Sequence, residues 1–405
     1  MKSMRFIRAA LFSAVPLCGL ALRLVAPASA DVISDQLNQS QANRFAIFHD
    51  YSIDATGSSS GGIPNPSGRG LAESYFGRFA ASNPVGDDKN WTVSASPLVG
   101  YDSNPEARQF ARGSFFGGVS ANTTYAADLN PDDPTHVFVG ADLTGAVYEG
   151  MVKEANVLQM QSFAGIRHGY FDDSIVLSAQ MKDQWTVEHG ASYLNAFDLA
   201  PSMEYFWTRQ LSTEVAVDYA NLEYFFPPAP KLSPDTSRYL LSFNLHLYPL
   251  PQGRNATVPE SPDQLTDILR QSLHSVVMGY THVWNQSDGG AYKYQGNRLS
   301  IGFDGIRPLK SPDLNFALYY AHEWQSYLSD YPLSTASLNK PTVLQRRHDH
   351  LDIFTLRTDA RLVDLAHDRG TLAAYVQWDL VRDFSFIPIR DFNEFIFSGG
   401  ITFQY

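Results

Sequence analysis

Cysteine is nearly missing from this chain: Cys18 is the single one in 405 residues. A framework of disulfides is thereby excluded, and so is a thiolate metal site. Long apolar runs are missing too. After residue 30 no stretch approaches the run of about 18 apolar residues that marks a membrane-crossing helix, and the mean hydropathy is −0.22. Positive charge is scarce, with 30 Lys+Arg against 42 Asp+Glu. Nucleic acid is therefore not an expected partner, because phosphate binding needs concentrated cations. Against these shortages stands an aromatic content of 13%. A chain rich in rings but poor in continuous apolar sequence must disperse its apolar residues, and alternation along strands is the way to do so.

The first residues read as an export signal. Lys2, Arg5 and Arg8 precede a mostly apolar stretch over 9–22, and Ala28-Ser29-Ala30 places small residues where a signal peptidase reads. Cleavage is expected before Asp31, since the apolar stretch is shorter than the roughly 20 residues of a spanning helix. Cys18 comes after Val15-Pro16-Leu17, with bulky Leu17 where a lipid-attachment signal carries a small residue. The exported chain would have no cysteine and a charge of −16, from 26 basic residues once Lys2, Arg5, Arg8 and Arg23 are removed, and 42 acidic ones. Residues 31–90 differ in composition from the remainder of the chain. The segment 55–70 is a Gly/Ser/Pro-rich linker, flanked by a possible short strand over 44–53 and a short helix over 71–81. This region is expected to be a periplasmic extension or partial plug, with a tail of no specific role as the alternative.

From Trp91 on, period-2 alternation recurs. Leu211, Thr213, Val215, Val217 and Tyr219 face one way while Ser212, Glu214, Ala216 and Asp218 face the other. The segments 136–148, 237–249, 313–325 and 371–383 repeat the design. In all, strands are expected near 91–101, 114–126, 136–148, 156–169, 174–187, 193–207, 211–224, 237–249, 272–284, 297–308, 313–325, 348–362, 371–383 and 393–405. Fourteen is an even number, as a single-chain bacterial barrel requires, with 12 and 16 left open. Connections at one end are short (171–173, 209–210, 309–312), while those at the other are longer and polar (102–112, 225–236, 285–296, 326–347). The exception is 250–271, on the short-turn side, where Ser261-Pro262-Asp263-Gln264 could start a helix. The fold class expected is all-β, a transmembrane antiparallel up-and-down barrel over residues 91–405. A soluble secreted β-sandwich is the alternative, since its strands alternate as well.

Phe395, Phe397, Gly399, Ile401, Phe403 and Tyr405 occupy every second position to the carboxyl end. This strand resembles the closing strand of bacterial outer-membrane proteins. The resemblance implies location in the outer membrane, contact with its lipid, and recognition by the barrel-assembly machinery through Phe397, Ile401, Phe403 and Tyr405. Gly100-Tyr101-Asp102-Ser103-Asn104 resembles a motif near the start of surface-lipoprotein assembly modifier barrels and of porin-like barrels found with exopolysaccharide genes. The assembly modifiers carry a helical-repeat domain before the barrel, and no such repeat stands before Trp91. Asp-Ser-Asn is also a good turn opener on its own chemistry.

Catalytic, metal and cofactor chemistry is not expected. His282 and Ser287, with Asn285 between, invite comparison with a serine hydrolase, but an odd separation puts them on opposite strand faces. His348, His350 and Asp352 share one face, yet three successive positions of one strand rarely converge around a metal. The functional candidates are the polar residues of the lumen-facing rows: Asp142, Glu214, Asp218, Asn244, His246, Asn315, Gln377 and Asp379, with Glu323 and Arg357 as possible additions. They would line an aqueous path or bond one another and fill the interior. The expected function is porin-like passage of small solutes with mild cation preference. An export or assembly barrel for a surface polymer or lipoprotein, working through residues 31–90, is the second reading.

Overall fold

The computed structural model describes residues 91–103, 113–128, 135–149, 156–171, 174–188, 191–208, 211–225, 235–247, 273–288, 293–307, 314–333, 343–364, 371–385 and 392–404. The expected signal, the 31–90 extension, the helix near 261–271 and Tyr405 lie outside them. Fourteen strands run in order: β1 (Trp91–Asp102), β2 (Ser114–Asp128), β3 (Thr135–Tyr148), β4 (Val157–Tyr170), β5 (Ile175–Glu188), β6 (Ala191–Thr208) and β7 (Leu211–Tyr224). The second half comprises β8 (Thr236–Leu247), β9 (Leu273–Ser287), β10 (Tyr294–Arg307), β11 (Leu314–Leu333), β12 (Val343–Asp364), β13 (Thr371–Ser385) and β14 (Phe392–Gln404). Each pairs antiparallel with its chain neighbours, and β1 pairs with β14, so one sheet closes on itself. A two-layer sandwich is overturned by this closure.

Alternation explains the wall. Apart from the irregular end of β12, the exposed large apolar side chains share one parity on each strand: Val139, Leu143 and Val147 on β3, Leu199, Met203 and Tyr205 on β6, Phe397, Ile401 and Phe403 on β14. Buried residues hold the opposite parity, among them Asp142 on β3, Glu204 on β6 and Glu394 on β14. The barrel is therefore apolar outside and largely polar inside, the inverse of a soluble protein. An apolar patch interrupts the polar inner wall at Ala220, Leu240, Val283, Tyr294 and Tyr327.

One end carries the start of β1 and the end of β14 and is here called the terminal end; the other is the far end. The tight β4–β5 turn lies at the terminal end, where Ser174 N–H donates to Phe171 O at 3.2 Å and Phe171 takes φ 54°. The β6–β7 connection there is equally brief. At the far end two expected boundaries need correction. The loop expected over 326–347 is in large part strand, because β11 runs to Leu333 and β12 starts at Val343. A register shift between Ser326 and Asp330 interrupts that hairpin. Likewise β9 continues to Ser287 and β10 starts at Tyr294, so the loop expected over 285–296 is shorter than its sequence suggests. Polar residues occupy both parities there, as at Asn285, Gln286 and Ser287, so the period-2 signal fades in the sequence while the ladder continues.

Two glycines on facing strands keep the inner wall compact. Gly140 pairs with Phe163 and Gly165 with Phe138 across β3 and β4. A Cβ on Gly140 would stand 2.3 Å from Phe163 Cζ, and one on Gly165 2.2 Å from Phe138 Cζ. Each ring thus lies over the bare backbone of its partner, shielding a glycine that packs nothing itself.

Candidate functional site

The functional candidates converge on the inner wall, where neighbouring strands bring their polar rows into register. On β3 and β4, Gln161 Nε2 donates to Asp142 Oδ2 at 3.3 Å, both side chains buried. On β7 and β8, Glu214 collects two partners on one oxygen: Asn244 Nδ2 donates to Oε2 at 3.1 Å, and His246 Nε2 lies 3.3 Å from the same atom. Ser212 donates to Glu204 at 2.5 Å one strand away. On β12 and β13, Asp379 accepts from Thr355 Oγ1 at 2.6 Å and from Gln377 Nε2 at 2.8 Å, while Arg357 Nη1 donates to Gln377 Oε1 at 3.0 Å. The Arg357 guanidinium also sits 4.2 Å over the Tyr375 ring. Asp218 is buried on the same inner row of β7.

Seven of the eight sequence-derived candidates therefore face inward, and six of them are joined in small cross-strand networks. For Asn315 the backbone is described: it pairs with Ile306 and Asp359 in the middle of three adjacent strands. Glu323 and Arg357 belong to the inner wall as well. A two-pronged ion pair on the inner wall involves a residue absent from the sequence-derived set. Arg298 on β10 donates through Nε to Glu323 Oε2 on β11 at 2.8 Å and again through Nη2, with both side chains about 1% exposed. Gln325 Nε2 supports the other carboxylate oxygen at 2.8 Å, and Tyr327 Oη donates to Gln325 at 3.1 Å.

Electrostatically the wall is lopsided. Among the buried described residues ten carboxylates stand on it: Asp102, Asp142, Asp198, Glu204, Glu214, Asp218, Glu323, Asp349, Asp383 and Glu394. Four cations oppose them: Lys182, Arg238, Arg298 and Arg357. Several of the acids escaped the sequence-derived set because they sit near strand ends, where Asp reads equally well as a turn residue. Asp102 is the clearest. It is fully buried, accepts from Tyr148 Oη at 3.0 Å, and lies beside the closure of the barrel. Next to it, Ser103 N–H donates to Phe395 O at 2.9 Å, and Phe395 N–H donates to Ser103 Oγ at 2.8 Å. The Gly-Tyr-Asp-Ser stretch thus ties the first strand to the last.

The other chemistry-bearing groups separate. His282 faces outward, where its Nδ1 lies 2.8 Å from Asn297 Oδ1, and Ser287 is buried on the inner parity of the same strand. Ser287 is on β9 and not in a loop, and the two residues sit on opposite faces of the wall. His348, His350 and Asp352 do share a face, the outer one. Among the described residues no group of three His, Cys, Asp or Glu is arranged to hold a metal ion.

No protein-family model matches the chain, and no curated protein matches it. Solved structures similar to it include a bacterial polysaccharide outer membrane secretin, at 10% identity over 78% of this chain and 99% of that one, with a TM-score of 0.39. OpdQ of Pseudomonas aeruginosa is similar at 9% identity, covering 79% of this chain and 98% of that one, with a TM-score of 0.33. OccAB4 of Acinetobacter baumannii is similar at 9% identity, covering 80% and 100%, with a TM-score of 0.36.

Proposed function

We propose that this chain is an outer-membrane barrel that passes small solutes, with a mild preference for cations. Membrane residence is supported by the wall. A closed sheet has no unpaired edge, which is the condition for crossing hydrocarbon with strands, and its outer side chains are apolar. Cation preference is supported by the inner excess of carboxylates, since fixed negative charge along an aqueous path lowers the energy of cations and raises that of anions. The residues assigned to the path are Asp142, Glu214, Asp218, Asn244, His246, Asn315, Gln377 and Asp379. Single-channel recording of the purified protein in a planar bilayer, under a salt gradient, tests this. The expected result is a reversal potential of cation-selective sign, shifting toward zero when Asp142 and Asp379 are both changed to Asn. A barrel that inserts but never conducts removes the channel.

Residues 1–30 are proposed as the export signal and 31–90 as a periplasmic extension. The outward side chains Phe397, Ile401 and Phe403, together with Tyr405, are proposed as the signal that the barrel-assembly machinery reads. Changing Phe403 to Asp puts a charge on the lipid-facing side of the last strand, close to its end. The expected outcome is a strong fall in the heat-modifiable form in outer-membrane fractions, with refolding of purified chain in detergent affected far less. Equal losses in both assays would make the residue a packing element only.

A further inference from the structure

The outer wall carries one arrangement twice. Tyr280, His282 and Trp284 alternate on β9, and Tyr320, His322 and Trp324 alternate on β11. In the first, Tyr280 Oη and His282 Nδ1 both reach Asn297 Oδ1 on β10, at 2.7 and 2.8 Å. In the second, Tyr320 Oη and His322 Nδ1 both reach Asp352 Oδ1 on β12, at 2.8 and 2.6 Å. Each Trp sets its ring against its His at 70°, with centroids 4.1 Å apart on β9 and 4.3 Å on β11. With Nδ1 directed at the acceptor, the opposite ring nitrogen of each His is turned away from that acceptor.

The two copies differ in charge. The first closes on the neutral amide of Asn297. The second closes on Asp352, which is opposite Arg382 in the β12–β13 register, and the His350 ring lies 5.8 Å from that of His322. His348 stands one outward position further on, 3.3 Å from Ser326 Oγ. Arg382 is exposed and stacked 3.7 Å over Phe384. One carboxylate, already accepting two hydrogen bonds, thus has the Arg382 guanidinium on the facing strand and the His322 and His350 rings nearby. Toward the terminal end the same strands present Leu318, Phe354, Leu356, Trp378 and Leu380, an apolar wall. The patch around Arg382 therefore sits where the aliphatic band gives way to polar and aromatic side chains, the level of lipid headgroups.

We propose that His322, His350 and Arg382 form a binding site for the phosphate of an anionic membrane lipid, whose acyl chains lie on the apolar wall alongside. Phosphate is the complementary group because charged N–H donors to its oxygens are the strong kind of hydrogen bond, and a stacked, exposed guanidinium is pre-organised to donate. The Asn297 copy has the same three rings closed on an amide and serves as the internal comparison. This inference rests on membrane residence but not on conduction.

The test is native mass spectrometry of the full mature chain in detergent, offered phosphatidylglycerol, phosphatidylcholine of the same acyl chains, or inorganic phosphate. Expected is retention of phosphatidylglycerol over phosphatidylcholine, with a preference falling roughly fivefold in H350Q/R382Q, the size expected for loss of one headgroup-level guanidinium. H282Q should leave it unchanged. Inorganic phosphate at equal concentration should not displace the lipid. Equal retention of the two lipids, no change in the double variant, or an equal loss in H282Q each overturns the site. Heat-modifiable gel migration shows that variants are folded; should the double variant lose it, Arg382→Gln alone carries the test, its side chain being exposed. A barrel that retains the lipid but does not conduct keeps this site and sinks the channel, whereas a chain soluble without detergent sinks both.

Discussion

Arg298→Ala is expected to destabilise the barrel by about 3–5 kcal/mol, the cost of leaving a buried charge without its partner. The Glu323 carboxylate, about 1% exposed, would keep only Gln325 as a donor to its other oxygen. The two hydrogen bonds from the guanidinium are lost together, and the space of the Arg298 side chain beyond Cβ is vacated. Equilibrium unfolding of the refolded protein in lipid or detergent, followed by tryptophan fluorescence against urea, measures the change. Glu323→Gln should cost less than Arg298→Ala, because an amide oxygen still accepts from Arg298. The double variant Arg298→Met with Glu323→Leu should recover much of the loss, since a well-packed apolar pair commonly matches a buried ion pair. If Arg298→Ala is neutral, water reaches Glu323 and the tight packing of this wall is wrong.

The second large effect is expected at the closure between β1 and β14. A Cβ on Gly100 would lie 2.5 Å from the Phe397 carbonyl oxygen and 2.5 Å from Phe116 Cζ. On the facing strand, a Cβ on Gly400 would lie 2.2 Å from the Pro97 carbonyl oxygen. Rings can rotate aside, but a carbonyl in the ladder moves only if the two strands part. Gly100→Val is therefore expected to cost about 3 kcal/mol, the upper range for overpacking, and to slow closure of the barrel. Truncating Phe116 as well should not rescue it, because the carbonyl remains. Gly117→Ala, with nothing within 4 Å of the added carbon, is the control and should fall within about 0.5 kcal/mol of the parent. The fraction of chain migrating as the compact, unboiled form on a gel reads both variants. A Gly100→Val protein that closes normally would show that the seam is looser than its geometry.

These two sites mark the edge of what the chain's order of residues reveals. Arg298 stands on the inner parity of its strand, as alternation implies, but its partner Glu323 lies 25 positions on. Only the register of β10 against β11 makes them neighbours. The same holds for Asp142 with Gln161, and for Glu214 with Asn244 and His246: which way each points is readable from period 2, whereas whom each meets is not. The Tyr-x-His-x-Trp pattern is visible twice in the sequence, yet a neutral amide closes one copy and a carboxylate the other because different strands pair with them. Where alternation stops, so does legibility. The far-end extensions of β11 and β12 read as a polar loop, and Asp102 at the end of β1 reads as turn chemistry while in fact it is buried on the inner wall.

By itself the sequence determined that strands alternate apolar and polar sides from Trp91 onward, and that about fourteen of them recur, most with short turns at one end. It did so because the choice between an apolar surrounding and a polar interior is imposed residue by residue, with no need of a partner. The tertiary structure alone decided closure, register and the side-chain pairings that register creates. Those depend on contacts between positions far apart in the chain, from Arg298 and Glu323 to the meeting of Gly100 with Phe397. Their cost or benefit exists only once two particular strands lie side by side.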